Sequence, residues 1–120
     1  MKTTTQEKTG RYIVKHLDEL NESRSTCGFR RAIITDEDSG TLSMSVLRIS
    51  DSRKHYHLKT SELYYVLHGE GRIELDDDVV PLKPGTAVFI HPGVRHTARG
   101  DVTTLIVGVP PFDKDDMFFD

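Results

Sequence analysis

The chain has 120 residues and a mass of 13.6 kDa, which suits one domain with a buried core. Its 16 basic and 19 acidic residues leave a formal charge of −3 with no basic block, which argues against nucleic acid as a partner. One cysteine, Cys27, cannot form an intramolecular disulfide and is expected in the core. Because no apolar stretch suits a signal peptide or a membrane span, we expect a cytoplasmic protein without a membrane partner.

The first predicted element is a short helix at residues 16–23, where Leu17 and Leu20 lie three positions apart. From Gly28 onward, brief runs rich in β-branched, aromatic and aliphatic residues predict strands. Turn residues rich in Gly, Pro and Asp separate these runs, as at 99–101. The strands are predicted at residues 29–35, 41–49, 62–68, 72–75, 79–82, 86–90 and 103–109.

Two turn sequences in the middle of the chain predict tight hairpins. They are HGEGR at 68–72 and DDD at 76–78. Short antiparallel strands at this spacing must close on themselves or stack in pairs to remove their open edges. The sequence therefore predicts an all-β barrel or jelly roll that forms a single domain over 1–120, with its core at about 28–110 and a tail at 111–120.

The stretch KHYHLKTSE places two histidines one residue apart and then a glutamate. In a strand, residues i and i+2 point to one face, so His55 and His57 can share a metal. Glu62 has the wrong parity for a continuous strand, and the polar residues before it are where a bend can reset the register. His96 follows a Pro-Gly turn in the second half of the chain and is a fourth candidate ligand.

Each of these side chains also has an ordinary explanation. His55 and His57 can lie on a solvated strand face, Glu62 can pair with Lys59, and His96 can be a loop residue. An unpaired buried carboxylate is costly, however, and Glu62 opens a strongly apolar strand. Three imidazoles and one carboxylate suit Fe, Mn, Ni, Co or Zn, and a six-coordinate ion keeps two positions for substrate or water.

Two spaced motifs carry a resemblance to a known family. They read His55-x-His57-x4-Glu62-x6-Gly69 and Gly85-x6-Pro92-Gly93-x2-His96. This pattern, which spans residues 55–96, resembles the two motifs of the cupins. The resemblance implies a double-stranded β-helix barrel with His55, His57, Glu62 and His96 as ligands of one divalent metal near the barrel's mouth.

The sequence departs from the cupin pattern at three positions. Ile49 stands where a glycine usually precedes the first histidine, His91 replaces a proline, and Gly100 replaces the asparagine that closes the second motif. All four ligand positions keep the expected residue types. These departures therefore bear on turn shape more than on metal binding.

Three further residues are candidates for contact with a ligand. Tyr64 shares a face with Glu62, so it is either a catalytic proton donor in the pocket or a hydrogen-bonded core residue. Arg48 would favour an anionic substrate if its face of the strand points inward, which the alternation leaves open. His91 ends a predicted strand and is a candidate for a ligand or interface contact.

The aromatic, acidic tail at 111–120 either covers a barrel end or a subunit seam, or is disordered.

Two functions of different classes fit these residues. The first is a small metalloenzyme, such as an oxygenase, isomerase or lyase, acting on a small polar or carboxylate-bearing metabolite. The second is a non-catalytic barrel that binds a sugar or another small molecule with a structural metal or none. In both cases the family resemblance implies a homodimer.

Overall fold

The structure, a computed structural model, describes residues 10–120 and consists mainly of antiparallel strands. The nine residues before them, part of the N-terminal segment that lacks an apolar region, lie outside the described range. The strands are β1 (Ser23–Ser25), β2 (Gly28–Ile34), β3 (Ser43–Ile49), β4 (Ser61–Leu75), β5 (Asp78–Leu82), β6 (Ala87–Ile90) and β7 (His96–Val109). No helix among the described residues has the length and apolar character needed to cross a membrane.

The strands are hydrogen-bonded in the order β1-β2-β3-β7-β4-β5, and β6 also pairs with β4. All of these pairings are antiparallel. Inward-facing apolar side chains fill the interior; those of Leu47, Ile73, Leu82, Val66 and Val102 are almost completely buried. The predicted all-β jelly-roll barrel is confirmed.

The predicted N-terminal helix is reduced to one 3₁₀ turn at Leu17–Glu19. None of its residues is fully buried, so the turn gains little of the apolar packing that would support a longer helix. Ser23, the last residue of the predicted helix, is instead the first residue of the edge strand β1.

Strands β4 and β7 form a long ladder that runs from the Ser61 and Val109 pair to the Leu75 and His96 pair. The hairpin predicted at 68–72 and the turn predicted at 99–101 are both wrong, because these segments lie inside the two strands. Their glycines allow a close approach of the two backbones and do not form hairpin turns. A Cβ atom on Gly71 would collide with the carbonyl oxygen of Arg99 across the ladder.

The long ladder folds back on itself. Glu62 and Leu75 are separated by 13 positions of β4, about 43 Å of straight strand at about 3.3 Å per residue. Leu75 is paired with His96, yet His96 Nε2 lies 3.0 Å from Glu62 Oε1. We infer that the reversal occurs where Gly71 faces Gly100 across the ladder, close to Gly69. We call this region the glycine bend (Gly69, Gly71 and Gly100).

Candidate metal centre

His55 and His57 lie on a short extended segment between β3 and β4. The N–H of His55 donates to the His96 carbonyl at 3.1 Å, and the N–H of His96 donates to the His55 carbonyl at 2.8 Å. Between the two histidines, Tyr56 exchanges equivalent hydrogen bonds with Phe118 of the tail, at 3.0 and 2.9 Å. Because successive residues of an extended segment point in opposite directions, both histidine rings enter the barrel.

The structure brings all four predicted ligands together. Glu62 is the second residue of β4 and His96 is the first of β7, so the fold-back of the ladder delivers one from each end. One ligand atom from each of the four residues lies within 4.8 Å of the others. The residues His55, His57, Glu62 and His96 are at most 4% exposed. We call these four residues the histidine–glutamate cluster.

Backbone carbonyls fix the orientation and the tautomer of each imidazole. Each Nδ1 contacts one carbonyl oxygen: Arg53 for His55 at 2.7 Å, Asp116 for His57 at 2.7 Å and Val94 for His96 at 2.9 Å. A carbonyl can only accept, so each Nδ1 carries a proton. In the neutral rings, Nε2 is therefore left with the lone pair that a metal requires.

Three polar atoms at the centre of the cluster lack hydrogen bonds. His57 Nε2 and His96 Nε2 lie 3.3 and 3.0 Å from Glu62 Oε1, but no hydrogen bond of acceptable geometry joins them. Unpartnered buried polar atoms are rare because they lose the hydration they have in the unfolded chain. A nitrogen and oxygen donor set that converges in this way fits one divalent transition-metal ion.

The ionisation of two members of the cluster, Glu62 and His55, also suits a cation. Burial alone would raise the pKa of the Glu62 carboxyl, but the His57 and His96 imidazoles outweigh burial and hold this pKa well below its usual range. Burial, reinforced by the neighbouring imidazoles, lowers the pKa of His55 to about 4. At neutral pH the cluster therefore contains an ionised carboxylate and a neutral His55, which are the forms that bind metals.

Tyr64 and Cys27 are buried beside the cluster. The Tyr64 ring meets the His96 ring edge-on, with centroids 6.2 Å apart, and burial together with the Glu62 charge raises the pKa of its hydroxyl. Tyr64 therefore remains a neutral O–H donor at physiological pH. Cys27 Sγ lies 3.7 Å from His55 Nδ1, and burial raises the pKa of this thiol, so Cys27 stays protonated in the core.

Two predicted ligand contacts lie away from the cluster. The inward-facing residues of β3 include Leu47, whereas Arg48 points outward and pairs with Glu22 at 3.1 Å. The condition for a substrate contact by Arg48, a side chain that points into the barrel, is therefore not met. His91 is exposed, and its ring packs edge-on against the exposed Phe89 ring on the outer surface at 4.9 Å. It does not touch the cluster.

The tail adds contacts that the sequence did not predict. Residues 110–120 are packed against the barrel, and the Phe112 and Phe119 rings lie 6.4 Å from the His57 ring and 6.3 Å from the His55 ring. The Asp116 carboxylate accepts hydrogen bonds from the backbone N–H groups of residues 58–60. The aromatic composition was the only indication in the sequence that this segment packs, and it did not identify the partners.

A family model described as the cupin domain matches residues 49–107. Protein SchB of Streptomyces halstedii is 33% identical over 97 residues, which are 75% of this chain and 70% of SchB. Two further relatives are matched over only 53% and 59% of their own lengths.

Solved structures match the described fold closely. A protein from Planctomyces limnophilus superposes with a TM-score of 0.84 at 30% identity, covering 88% of this chain and 95% of that one. Ectoine synthase from P. lautus superposes with a TM-score of 0.74 at 23% identity, covering 89% and 88%. At that identity the likeness to ectoine synthase shows the fold alone.

Proposed function

Because this chain belongs to the cupin superfamily and contains the histidine–glutamate cluster, we propose that it is a divalent-metal-dependent enzyme acting on a small carboxylate-bearing metabolite. The reaction is of the oxygenase, isomerase or lyase type. One observation carries this proposal: three buried ligand atoms, His57 Nε2, His96 Nε2 and Glu62 Oε1, converge without hydrogen bonds to satisfy them.

His55, His57, Glu62 and His96 would hold the metal. When bound, the metal supplies Lewis acidity or activation of dioxygen at positions left open by these four ligands. The Nδ1 hydrogen bonds to backbone carbonyls hold the three imidazoles in place before a substrate arrives. This preorganisation avoids the cost of ordering the side chains during the reaction.

Tyr64 is the proposed proton donor. It lies on the inner face of β4, two residues after Glu62, and its ring packs beside His96. Its raised pKa keeps the proton on the oxygen until a substrate atom of increasing basicity comes within reach. The Phe112 and Phe119 rings of the tail pack beside two members of the cluster, His57 and His55.

A fold neighbour supports the enzymatic side of this proposal. Ectoine synthase, named for the small molecule that it makes, has the same barrel. Barrels of one fold carry many activities, so the neighbour supports catalysis in general and not one particular reaction.

The quaternary structure and the compartment remain predictions. A homodimer would be accompanied by burial of apolar side chains that are exposed in one chain, and Leu63, Tyr65 and Phe89 on the outer face of β4 and β6 are of this kind. Light scattering during size-exclusion chromatography measures the mass directly. A mass of one chain at micromolar concentration would contradict the dimer.

Metal analysis combined with a turnover screen tests the proposed enzyme. We expect about one transition-metal ion per chain in the purified protein, and oxygen uptake or product formation, followed by proton NMR, with a member of a panel of small carboxylates, thiols and catechols. His57→Ala should lose both the metal and turnover. His68→Ala changes an exposed histidine of β4 and should retain both.

The possible outcomes separate the two functional classes. Bound metal and tight binding of a metabolite without turnover would favour the non-catalytic binding protein. If the protein binds none of the candidate metals, the proposed centre is wrong. Turnover that persists in metal-free His57→Ala would overturn the proposed role of the cluster.

A further inference from the structure

An open cavity of about 450 Å³ lies between strand β1 and the tail. Its lining divides into three classes of side chain. Three are cationic, Arg24, Arg30 and Lys114; three are apolar, Phe112, Met117 and Phe119; and the other three carry hydroxyl groups. No carboxylate from the described residues lines the cavity. Its volume lies within the range of roughly 300–1,000 Å³ that is typical of ligand pockets.

Arg30 lies at the inner side of this cavity. It is paired across the sheet with Leu47, which is fully buried, and directly opposed residues of two strands project to the same face. The Arg30 side chain therefore points into the mouth of the barrel. Its guanidinium carbon lies 4.6 Å from the centroid of the Phe112 ring. The positive charge of Arg30 also acts on Cys27 and Tyr64, lowering the pKa of each against the dominant effect of burial.

The charge of Arg30 is not neutralised within residues 10–120. Arg30 forms no ion pair there, and its Nε is buried without a hydrogen-bond partner. Arg48 on the outer face, in contrast, has an acidic partner in Glu22. Burying the Nε of Arg30 without an acceptor is costly, and an anion with two oxygens matches the donor geometry of the guanidinium.

The apolar side of the cavity leads directly to the histidine–glutamate cluster. Phe112 and Phe119 line the cavity and also pack against His57 and His55, respectively. Met117 lies between them on the tail, and Thr26 Oγ1 contacts its sulfur at 3.1 Å. A molecule in the cavity is therefore separated from the cluster by two phenyl rings, with its charged groups at Arg30.

We propose that this cavity selects an aromatic carboxylate, whose acid group is bound by Arg30 and whose ring lies on Phe112, Met117 and Phe119. The binding of this ligand does not depend on the proposed function. Only its assignment as the substrate class of the enzyme rests on that function. The volume exceeds what a two- or three-carbon acid fills, and the apolar lining adds burial energy for a ring.

Calorimetric titration with 2-naphthoate and its neutral isostere 2-naphthamide tests the proposal. We expect the carboxylate to bind at least about tenfold more tightly than the amide to the wild-type protein, because the amide cannot form the charged pair with Arg30. Arg30→Gln should weaken naphthoate binding by about tenfold or more and leave amide binding unchanged. Arg30→Lys, which keeps the charge without the planar fork, should be intermediate.

Arg48→Gln is the matched control, because Arg48 is on the outer face. It should leave naphthoate affinity within about twofold of the wild type.

Inorganic phosphate should not displace naphthoate at equal concentration, because phosphate has no apolar part to bury against the aromatic rings. Equal affinity for acid and amide, equal losses in Arg30→Gln and Arg48→Gln, or displacement by phosphate would each overturn the proposal. Thermal melting of each variant identifies unfolding, and the acid-to-amide ratio in the wild type requires no variant.

Metal content measured on the same samples separates this proposal from the enzyme proposal. Naphthoate binding that depends on Arg30 in a protein without metal affinity would overturn the metalloenzyme and leave the ligand class standing. Metal binding in a protein that shows no preference for the carboxylate would overturn the ligand class alone. Naphthoate binding that requires the metal but not Arg30 would also overturn the ligand class.

Discussion

The glycine bend and the histidine–glutamate cluster are both parts of the β4–β7 ladder, but they are built in opposite ways. At the bend, backbone atoms approach so closely that Gly71 has no space for a side chain, and the neighbouring Val102 is an apolar core residue. At the cluster, polar side chains are buried, and three of their atoms lack hydrogen bonds.

This difference indicates that the two regions have separate tasks. Apolar burial near the bend contributes to folding by itself, because removal of apolar surface from water is favourable. Burial of polar groups without partners opposes folding. The cluster therefore lowers the stability of the metal-free chain but provides a preorganised binding site. The apolar interior stabilises the fold.

Glu62→Gln should give the largest effect and tests the cluster directly. We expect metal affinity to fall by more than roughly 100-fold, since loss of a direct ligand should exceed the 10–100-fold typical of supporting hydrogen bonds. The unfolding free energy of the metal-free protein should change by about 1 kcal/mol or less, because the glutamine amide keeps the shape of the carboxyl group and can donate a hydrogen bond to a neutral imidazole Nε2. Competition with a chelator and urea unfolding measure the two quantities.

Glu74→Gln is the control for this substitution, since Glu74 is on the same strand and pairs with Arg99 instead of the cluster. It should not alter metal affinity. If both variants bind metal as the wild type does, the ligand assignment of Glu62 is wrong.

Ile73→Ala should have the reverse pattern. The Ile73 side chain is fully buried near the bend, and its truncation should lower the unfolding free energy by about 2–5 kcal/mol. Metal stoichiometry at low temperature should remain unchanged. Val79→Ala, at an exposed position of β5, should change stability by less than about 0.5 kcal/mol. A loss of metal from folded Ile73→Ala would break the proposed separation of tasks.

Asp116→Ala should produce a smaller change in both properties. The Asp116 carboxylate accepts three backbone N–H groups from residues 58–60, and its own carbonyl accepts the Nδ1–H of His57. Loss of the carboxylate should cost about 1–3 kcal/mol and should weaken metal binding by up to about tenfold through movement of His57. The exposed neighbour provides the control, because Asp115→Ala should change neither stability nor metal binding.

Asp38→Asn, in the loop between β2 and β3, should have the smallest effect and provides a baseline outside both regions. Burial opposes ionisation of Asp38, but Lys15 and the Thr35 N–H, at 2.9 Å, outweigh burial and lower its pKa. The resulting stability, less than about 1 kcal/mol, is present above about pH 4 and is lost as pH falls through the folded pKa. Urea unfolding from pH 7 to 3 should therefore show the wild type and the variant converging at low pH.

Local patterns in the sequence predicted much of the fold and the cluster. The alternation in KHYH determines which side chains share a face, and the turns around the second motif place His96 at the start of a strand. Strand positions were largely correct because β-branched and aromatic runs reflect a half-buried sheet. The glycines of the bend were misinterpreted, because glycine suits both a tight turn and a close backbone approach.

The remaining features depend on contacts distant in the sequence. Alternation along β3 is the same whichever face is inside, so the outward direction of Arg48 could not be predicted. The role of Asp116 arises from backbone groups more than 50 positions earlier in the chain. The alignment of Arg30 with Phe112 likewise requires the tail to return to the mouth of the barrel.

The fold-back of the β4–β7 ladder has a mechanical consequence. The cluster brings together the two ends of the ladder, and the three glycines form the hinge between them. An ion held in the cluster would therefore bridge segments 41 positions apart in the chain, from His55 to His96. Opening the ladder at this hinge would require release of that ion. Deuterium uptake by the amides of the first residues of β7 should consequently slow on metal loading, while uptake at the hinge stays the same.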